Sequence, residues 1–256
     1  MNLSFYKYQG TGNDFIMIDN RNLSYPKDNI SLISRLCDRH FGIGADGIIL
    51  IENDVHSDFK MIYFNADGSE TFCGNGGRCA VAFAKYLSII TTKTNFNAFD
   101  GPHYAEIENS TISLQMIDVN DIKVHENFVF AYTGTQHHVE LVDNLNEYPV
   151  IENGKKIRYS YDAPGSNVNF VQKLNETTFR VRTYEKGVEN ETLACGTGVT
   201  AVAIAMHKTN KTTSNSIFLP VEGGVLNVTF DIENNSYTNV FLKGPAQFVY
   251  KGSIEI

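Results

Sequence analysis

Two cysteines in this chain stand directly before a glycine-rich turn. Cys73 lies in FNADGSETFCGNGGRC (64–79) and Cys195 in YEKGVENETLACGTG (184–198). Taken alone, Cys73 with Cys79 is compatible with a metal clip, a disulfide or a reactive thiol with a buried neighbour. The two stretches together narrow the chemistry. A cysteine at a helix N-terminus sits beside exposed backbone N–H groups and the positive end of the helix dipole, and both favour the thiolate. Glycines just after it let backbone N–H groups approach an anion such as a carboxylate. Two such elements facing one carboxylate-bearing carbon suit a two-base racemase or epimerase. A base on one face removes the α-proton, an acid on the other returns one, and the helix termini stabilise charge building on the carboxylate.

The elements that must position these cysteines repeat. The segment from Met61 and the segment from Phe179 both run strand, polar loop, Glu-Thr, Cys-Gly-x-Gly, helix. Cys73 and Cys195 are 122 residues apart, close to half of the 256-residue chain, which implies a duplicated unit. Alternating or β-branched runs such as SFYKYQ, FIMIDN, GIILIE, FKMIYFN, HHVELV, NVNFVQKL, TFRVRTYE and VLNVTFDI predict many strands. Three helices are predicted: Ile30 to His40, the alanine-rich stretch after Cys73, and that after Cys195. The last two are apolar on nearly all sides, as a helix wrapped by sheet must be. The expected fold is α+β, with two pseudo-symmetric domains, each a curved, mostly antiparallel sheet or barrel around a central helix. The expected boundaries are 1–116, with strand 246–256 returning to it, and 117–245.

Composition removes other classes. A net charge of −8 argues against a nucleic-acid partner, which needs a basic surface. No apolar run approaches bilayer-spanning length and the N-terminus lacks a signal-peptide core, so no membrane partner and a cytoplasmic location are expected. Four cysteines (37, 73, 79 and 195) in such a chain are more readily catalytic, metal-binding or buried than disulfide-bonded. Cys37 shares an apolar helical register with Ile33 and Leu36, and Cys79 lies within a helix; both read as core. A zinc site from Cys73, Cys79 and His40 lacks the C-x₂₋₄-C spacing, so no metal is expected. GIGADG (42–47) follows a helix and precedes a strand, the reverse of the dinucleotide fingerprint. No motif calls for a cofactor, although pyridoxal phosphate has no reliable local signature.

The motifs GTGNDF (10–15), RHFGIGADG (39–47), FNADGSE (64–70), CGNGGRC (73–79) and YEKGVENETLACGTG (184–198) resemble those of the diaminopimelate epimerases in order, spacing and total length. The resemblance implies a cofactor-independent enzyme that interconverts LL- and meso-diaminopimelate for lysine and peptidoglycan synthesis. It implies Cys73 and Cys195 as the acid/base pair, with Gly74-Asn75 and Gly196-Thr197 as main-chain donors to the carboxylate at the reacting centre. Asn13, Asn65 and Asn167 would hold the distal amino-acid end. Glu185 would bind substrate and tune the thiols, with His137 at the other tuning position. The partners implied are a small amino-acid substrate and a second copy in a homodimer. Four positions depart from the family pattern. Lys186 replaces an arginine that grips a carboxylate, keeping charge but losing the bidentate fork. Thr135 and Gln136 stand where the family often has Asn-Pro, and Gly47 where some relatives carry glutamine. A proline- or hydroxyproline-type racemase of the same fold and a non-enzymatic thiol or metal-binding protein are the competing readings.

Overall fold

A computed structural model describes residues 2–256. The chain divides into two compact units, Met1–Leu114 with Gly244–Ile256, and Gln115–Lys243.

The first unit contains β1 (Asn2–Gly10), β2 (Asn13–Asp19), α1 (Ile30–Cys37), β3 (Gly47–Glu52), β4 (Phe59–Asn65), β5 (Glu70–Thr71), α2 (Gly74–Tyr86), β6 (Lys93–Ala98), β7 (Gly101–Glu108) and β8 (Thr111–Gln115). The second contains β9 (Ile122–Val124), β10 (Phe128–Tyr132), β11 (Gln136–Leu141), α3 (Val150–Arg158), β12 (Asn167–Lys173), β13 (Phe179–Glu185), β14 (Asn190–Thr192), α4 (Gly196–Lys208), β15 (Ser216–Val221), β16 (Gly224–Glu233) and β17 (Ser236–Pro245). The closing strand β18 (Gln247–Glu255) pairs antiparallel with β1.

In the first unit the strand order is β8-β7-β6-β4-β3-β2-β1-β18, with β5 beside β4. The pairs are antiparallel except β2/β3 and β4/β6. In the second, β14-β13-β12-β11-β10-β9 form one sheet, antiparallel except for β11/β12, and β15-β16-β17 continue the wall. A parallel bridge between Thr178 and Phe218 joins these two sets. The expectation of sheet-rich halves, each around a central helix, matches these elements.

Helix α4 is buried from Val199 to Met206, in one apolar cluster with side chains of β10, β11, β12, β13, β15, β16 and β17. Its small residues let strands approach from every side. Helix α2 plays the same part in the first unit: Cys79, Ala80, Val81, Phe83 and Ala84 are buried, and Phe83 meets the rings of Tyr6 and Tyr8.

Two elements differ from expectation. Helix α1 stops at Cys37 instead of His40, because Asp38 turns to an extended conformation and its carboxylate accepts the His40 and Phe41 N–H groups, both at 2.7 Å. That side chain satisfies donors that a longer helix would have satisfied. Helix α3 was not predicted. Only Val150 and Gly154 of VIENGKKIR are buried, so the segment carries little periodic signal and a mid-helix glycine argues against it. The glycine is there for packing: a Cβ on Gly154 would lie 2.4 Å from Tyr184 Cβ on β13.

Two effects oppose each other in Gly154→Ala. Helix propensity favours it by up to ~1 kcal/mol, whereas overpacking against a buried residue costs ~1–3 kcal/mol. We expect net destabilisation, read as a lower urea midpoint with an unchanged m-value; a raised midpoint would show that α3 can lift off β13.

Candidate active site

Cys73 is the N-cap residue of α2, with φ −134° and ψ 122°, and Cys195 is the N-cap residue of α4, with φ −118° and ψ 111°. Neither makes a side-chain capping bond. The helical ladders begin with Gly77 N–H to Cys73 O (2.7 Å) and Val199 N–H to Cys195 O (3.0 Å). The N–H groups of Gly74, Asn75 and Gly76, and of Gly196, Thr197 and Gly198, precede the first rung. Each thiol therefore stands at the positive end of a helix dipole. The other two cysteines differ: burial pushes Cys37 and Cys79 up to about 12, Cys79 even with Arg78 beside it. Both are core thiols, held protonated.

The first unit brings three of the predicted residues together. Cys73 Sγ lies 3.4 Å from Asn13 Oδ1, which also accepts from Asn75 Nδ2 at 3.3 Å. Asn13 is held from behind, where its Nδ2 donates to Asp46. Arg39 grips Asp14 with two nitrogens and reaches Asp46 at 2.8 Å, and Lys7 meets Asp14 at 2.7 Å. Burial raises the Asp14 carboxyl, but hydrogen bonds from Arg39 and Lys7 outweigh it and hold the group at about 2. The charged residues of GTGNDF and RHFGIGADG thus serve to fix Asn13.

Arg78, which the sequence reading passed over, is wholly buried. Its Nη2 donates to Thr11 Oγ1 (2.7 Å) and Asn75 Oδ1 (3.0 Å). Its Nε and Nη1 have no hydrogen-bond partner among the described residues. Burial lowers its pKa, while the Cys79 and Cys73 thiols pull the other way. A buried guanidinium adds positive potential beside Cys73 that a neutral side chain could not supply.

Asn65 belongs to a separate cluster. It accepts from Tyr63 OH (2.8 Å) and donates to Ser69 Oγ (2.9 Å) and Thr71 Oγ1 (3.1 Å).

In the second unit, Cys195 Sγ is 3.6 Å from Thr197 Oγ1, and that hydroxyl is 3.0 Å from His137 Nε2. His137 Nδ1 is 3.1 Å from Asn169 Nδ2. Thr133 Oγ1 donates to Thr197 O at 2.9 Å. Burial, reinforced by the positive charge of Lys186, pushes His137 down to about 3, so the ring is neutral at neutral pH. Asn167 clamps backbone on both sides: Nδ2 donates to Gln136 O (3.1 Å) and Oδ1 accepts from Lys186 N–H (2.9 Å). Glu185, at the end of β13, accepts from Thr192 Oγ1. Asn169 and Thr133 were missed in the sequence. Asn169 had a signal, since it lies two positions from Asn167 on one strand and so on the same face. Among the described residues, no three His, Cys, Asp or Glu side chains come together as a metal site needs.

The family description for diaminopimelate epimerase matches residues 5–117 and 129–249. The chain belongs to the diaminopimelate epimerase family. A diaminopimelate epimerase of Flavobacterium psychrophilum is 59% identical over 256 residues, covering 98% of this chain and 100% of that protein. One from Chlorobaculum tepidum is 39% identical, covering 96% and 99%. Solved structures share the fold at low identity. A phenazine biosynthesis protein of the PhzF family from Bacillus anthracis has a TM-score of 0.79 at 14% identity, covering all of both chains. A hydroxyproline epimerase from Agrobacterium vitis has 0.70 at 14%, covering 99% of this chain and 92% of that one. At such identity these two speak for the fold alone, and membership of the epimerase family rests on the sequence matches.

Neutral, buried His137 has a consequence for stability. Below pH ~6.5 the unfolded chain binds a proton that the folded ring does not, so stability falls as pH drops from there toward about 3, by at most ~1.4 kcal/mol per pH unit, and is indifferent to this group above pH ~6.5. Urea midpoints at pH 7.5, 5.5 and 4.5 should show His137→Gln with a flatter acid limb than the parent. An equally steep limb would assign the acid sensitivity elsewhere.

Proposed function

We propose that this chain acts as a cofactor-independent diaminopimelate epimerase, an isomerase that interconverts LL- and meso-diaminopimelate in lysine and peptidoglycan precursor synthesis. Family membership over nearly the whole chain supports the reaction class and the substrate. The observation that carries the chemistry is one helix-capping cysteine in each unit, each with polar side chains arranged around its sulfur.

In this reading one cysteine is a thiolate and the other a thiol. The thiolate takes the α-proton: the C–H bond breaks, an S–H bond forms, and the electron pair spreads into the α-carboxylate. The thiol of the second cysteine then delivers its proton to the opposite face, inverting the carbon and becoming the thiolate. The N–H groups of Gly74-Asn75 and Gly196-Thr197 donate to the α-carboxylate, where negative charge grows in the transition state. Asn13, Asn65 and Asn167 orient the distal amino-acid end. Glu185 and His137 tune the thiols, and Lys186 supplies a positive charge to a carboxylate. Working thiols require a reducing compartment, which agrees with a cytoplasmic location. Among the described residues no helix is long and apolar enough to cross a membrane.

A homodimer is part of this reading, and the first unit offers a surface for it. Strand β18 is the sheet edge, and Phe248, Val249 and Tyr250 are 47%, 52% and 42% exposed. An apolar edge strand presents unpaired backbone groups and readily pairs with another copy. We expect light scattering to give the mass of a dimer for the parent and of a monomer for Phe248→Glu. A monomeric parent would remove the dimer from this account.

The reaction is tested by incubating reduced protein with LL-diaminopimelate in D₂O without added cofactor. NMR should show α-deuteration and chiral chromatography the meso isomer. Cys73→Ala and Cys195→Ala should each lose at least about 10²–10⁴-fold in turnover, the range of general acid–base catalysis. Near-parental turnover in either variant would sink the two-base mechanism. Exchange with proline or hydroxyproline instead would favour the rival racemase.

A further inference from the structure

Strand register lets the two units be compared position by position. In the first, Phe15 pairs with Gly47, Ile49 with Tyr63, and Tyr63 with Thr71. In the second, His137 pairs with Asn167, Asn169 with Thr183, and Thr183 with Thr192. Because the Glu-Thr dipeptides correspond, Phe15 matches His137, Ile49 matches Asn169, and Tyr63 matches Thr183. Gly76 and Gly198 are each the third residue of their helix. A Cβ on Gly76 would meet Ile49 at 3.0 Å and Phe15 at 3.5 Å, whereas one on Gly198 would meet Asn169 Oδ1 at 2.5 Å. The same slot beneath the helix start is therefore apolar under α2 and polar under α4. The fold accepts apolar side chains there, so packing alone does not require His137 and Asn169.

The polar version has one direction. Asn169 Nδ2 donates to His138 O at 2.9 Å, and Asn169 Oδ1 accepts from Thr183 Oγ1 at 3.0 Å. These two bonds fix the amide: its nitrogen, which can only donate, is the atom facing His137 Nδ1. His137 Nδ1 is then the acceptor and the proton of the neutral ring lies on Nε2, pointing at Thr197 Oγ1. The Thr197 hydroxyl, accepting there, keeps its own hydrogen available to Cys195 Sγ; beside a thiol either atom could donate, whereas a thiolate can only accept. The charged group that acts on His137 is Lys186, which disfavours a cationic ring; Glu185, the chain neighbour of Lys186, accepts from Thr192.

We propose that Asn169, oriented by Thr183, is a positioning residue that locks the His137 tautomer so that Thr197 donates a hydrogen bond to the Cys195 thiolate. The proposal rests on reading Cys195 as an acid/base thiol. Its test needs no turnover, so it fails or succeeds separately from the substrate assignment. Imidazole ¹H–¹⁵N spectra of the full-length chain should show His137 with a bare Nδ1 from pH 8 to pH 5, and Asn169→Leu should lose that single tautomer. Alkylation by iodoacetamide, followed for each cysteine by mass spectrometry across pH, should give a Cys195 midpoint raised by about one pH unit in Thr197→Val. Thr197→Ser, which keeps the hydroxyl, should stay at the parental value, and the Cys73 midpoint should move in neither variant. Midpoints are compared because Cys195 is the more buried thiol and its absolute rate also reflects access. A protonated Nδ1 in the parent, or a Cys195 midpoint unchanged in Thr197→Val, overturns the proposal.

Discussion

A helix enclosed by sheet must still answer the donors of its first turn. Helices α2 and α4 are both thirteen residues long and buried along most of their length, and both begin at a cysteine that makes no side-chain capping bond. An ordinary surface helix would answer those N–H groups with water or with a Ser, Asp or Asn cap. Here each first turn follows a cysteine instead, and Gly76 and Gly198 let Phe15, Ile49 and Asn169 pack directly beneath it. The strands exist to enclose these helices, and the loops before β5 and β14 exist to deliver a cysteine to each helix start.

The two halves keep that scaffold and diverge around it. At the fifth helical position α2 carries Arg78 and α4 carries Thr200, whose hydroxyl is spent on Gly196 O at 2.9 Å. Beneath the first turn, the first unit has Phe15 and Ile49 where the second has His137 and Asn169. One thiol thus has a buried formal charge nearby and the other a neutral chain of oriented dipoles. A charge acts over distance and, when buried, is poorly screened by salt, whereas a hydrogen-bonded chain acts only on the atom at its end. Cys73 also faces an acceptor, Asn13 Oδ1, while Cys195 faces a hydroxyl that can donate.

What was legible in the sequence was local. A cysteine followed by glycines and an alanine-rich run states a helix start in a few residues, and seeing it twice reveals the duplication. Strands such as GIILIE, buried at all six positions, announce themselves by composition. Residues whose role depends on a distant partner were opaque. Arg39, Asp14 and Asp46 have no assigned role in the sequence reading, yet they meet across the fold to hold one asparagine. Asn167 reads as a ligand by resemblance, and only the fold shows that its amide also braces the backbone of Gln136 and Lys186. Helix α3 was invisible because the glycine that lets it lie on Tyr184 is also the residue that weakens helical pattern and propensity.

A two-base reaction constrains how unequal the two thiols can be. Each turnover leaves the proton on the opposite sulfur from where it began, so the form of the enzyme ready for one stereoisomer is the product form for the other. If one thiolate were favoured by several pKa units, at ~1.4 kcal/mol per unit, the reverse direction would start from a rare species and slow accordingly. On the proposed two-base reading the two halves therefore need comparable stabilisation, although nothing requires the same means. In that reading, Arg78 and the Asn13 carbonyl on one side and the Thr197 hydroxyl on the other are the different means, added to a helix start that both thiols share. This also accounts for a neutral His137: an imidazolium there would add a full charge beside Cys195 and tilt the pair, and burial with Lys186 nearby keeps that charge away.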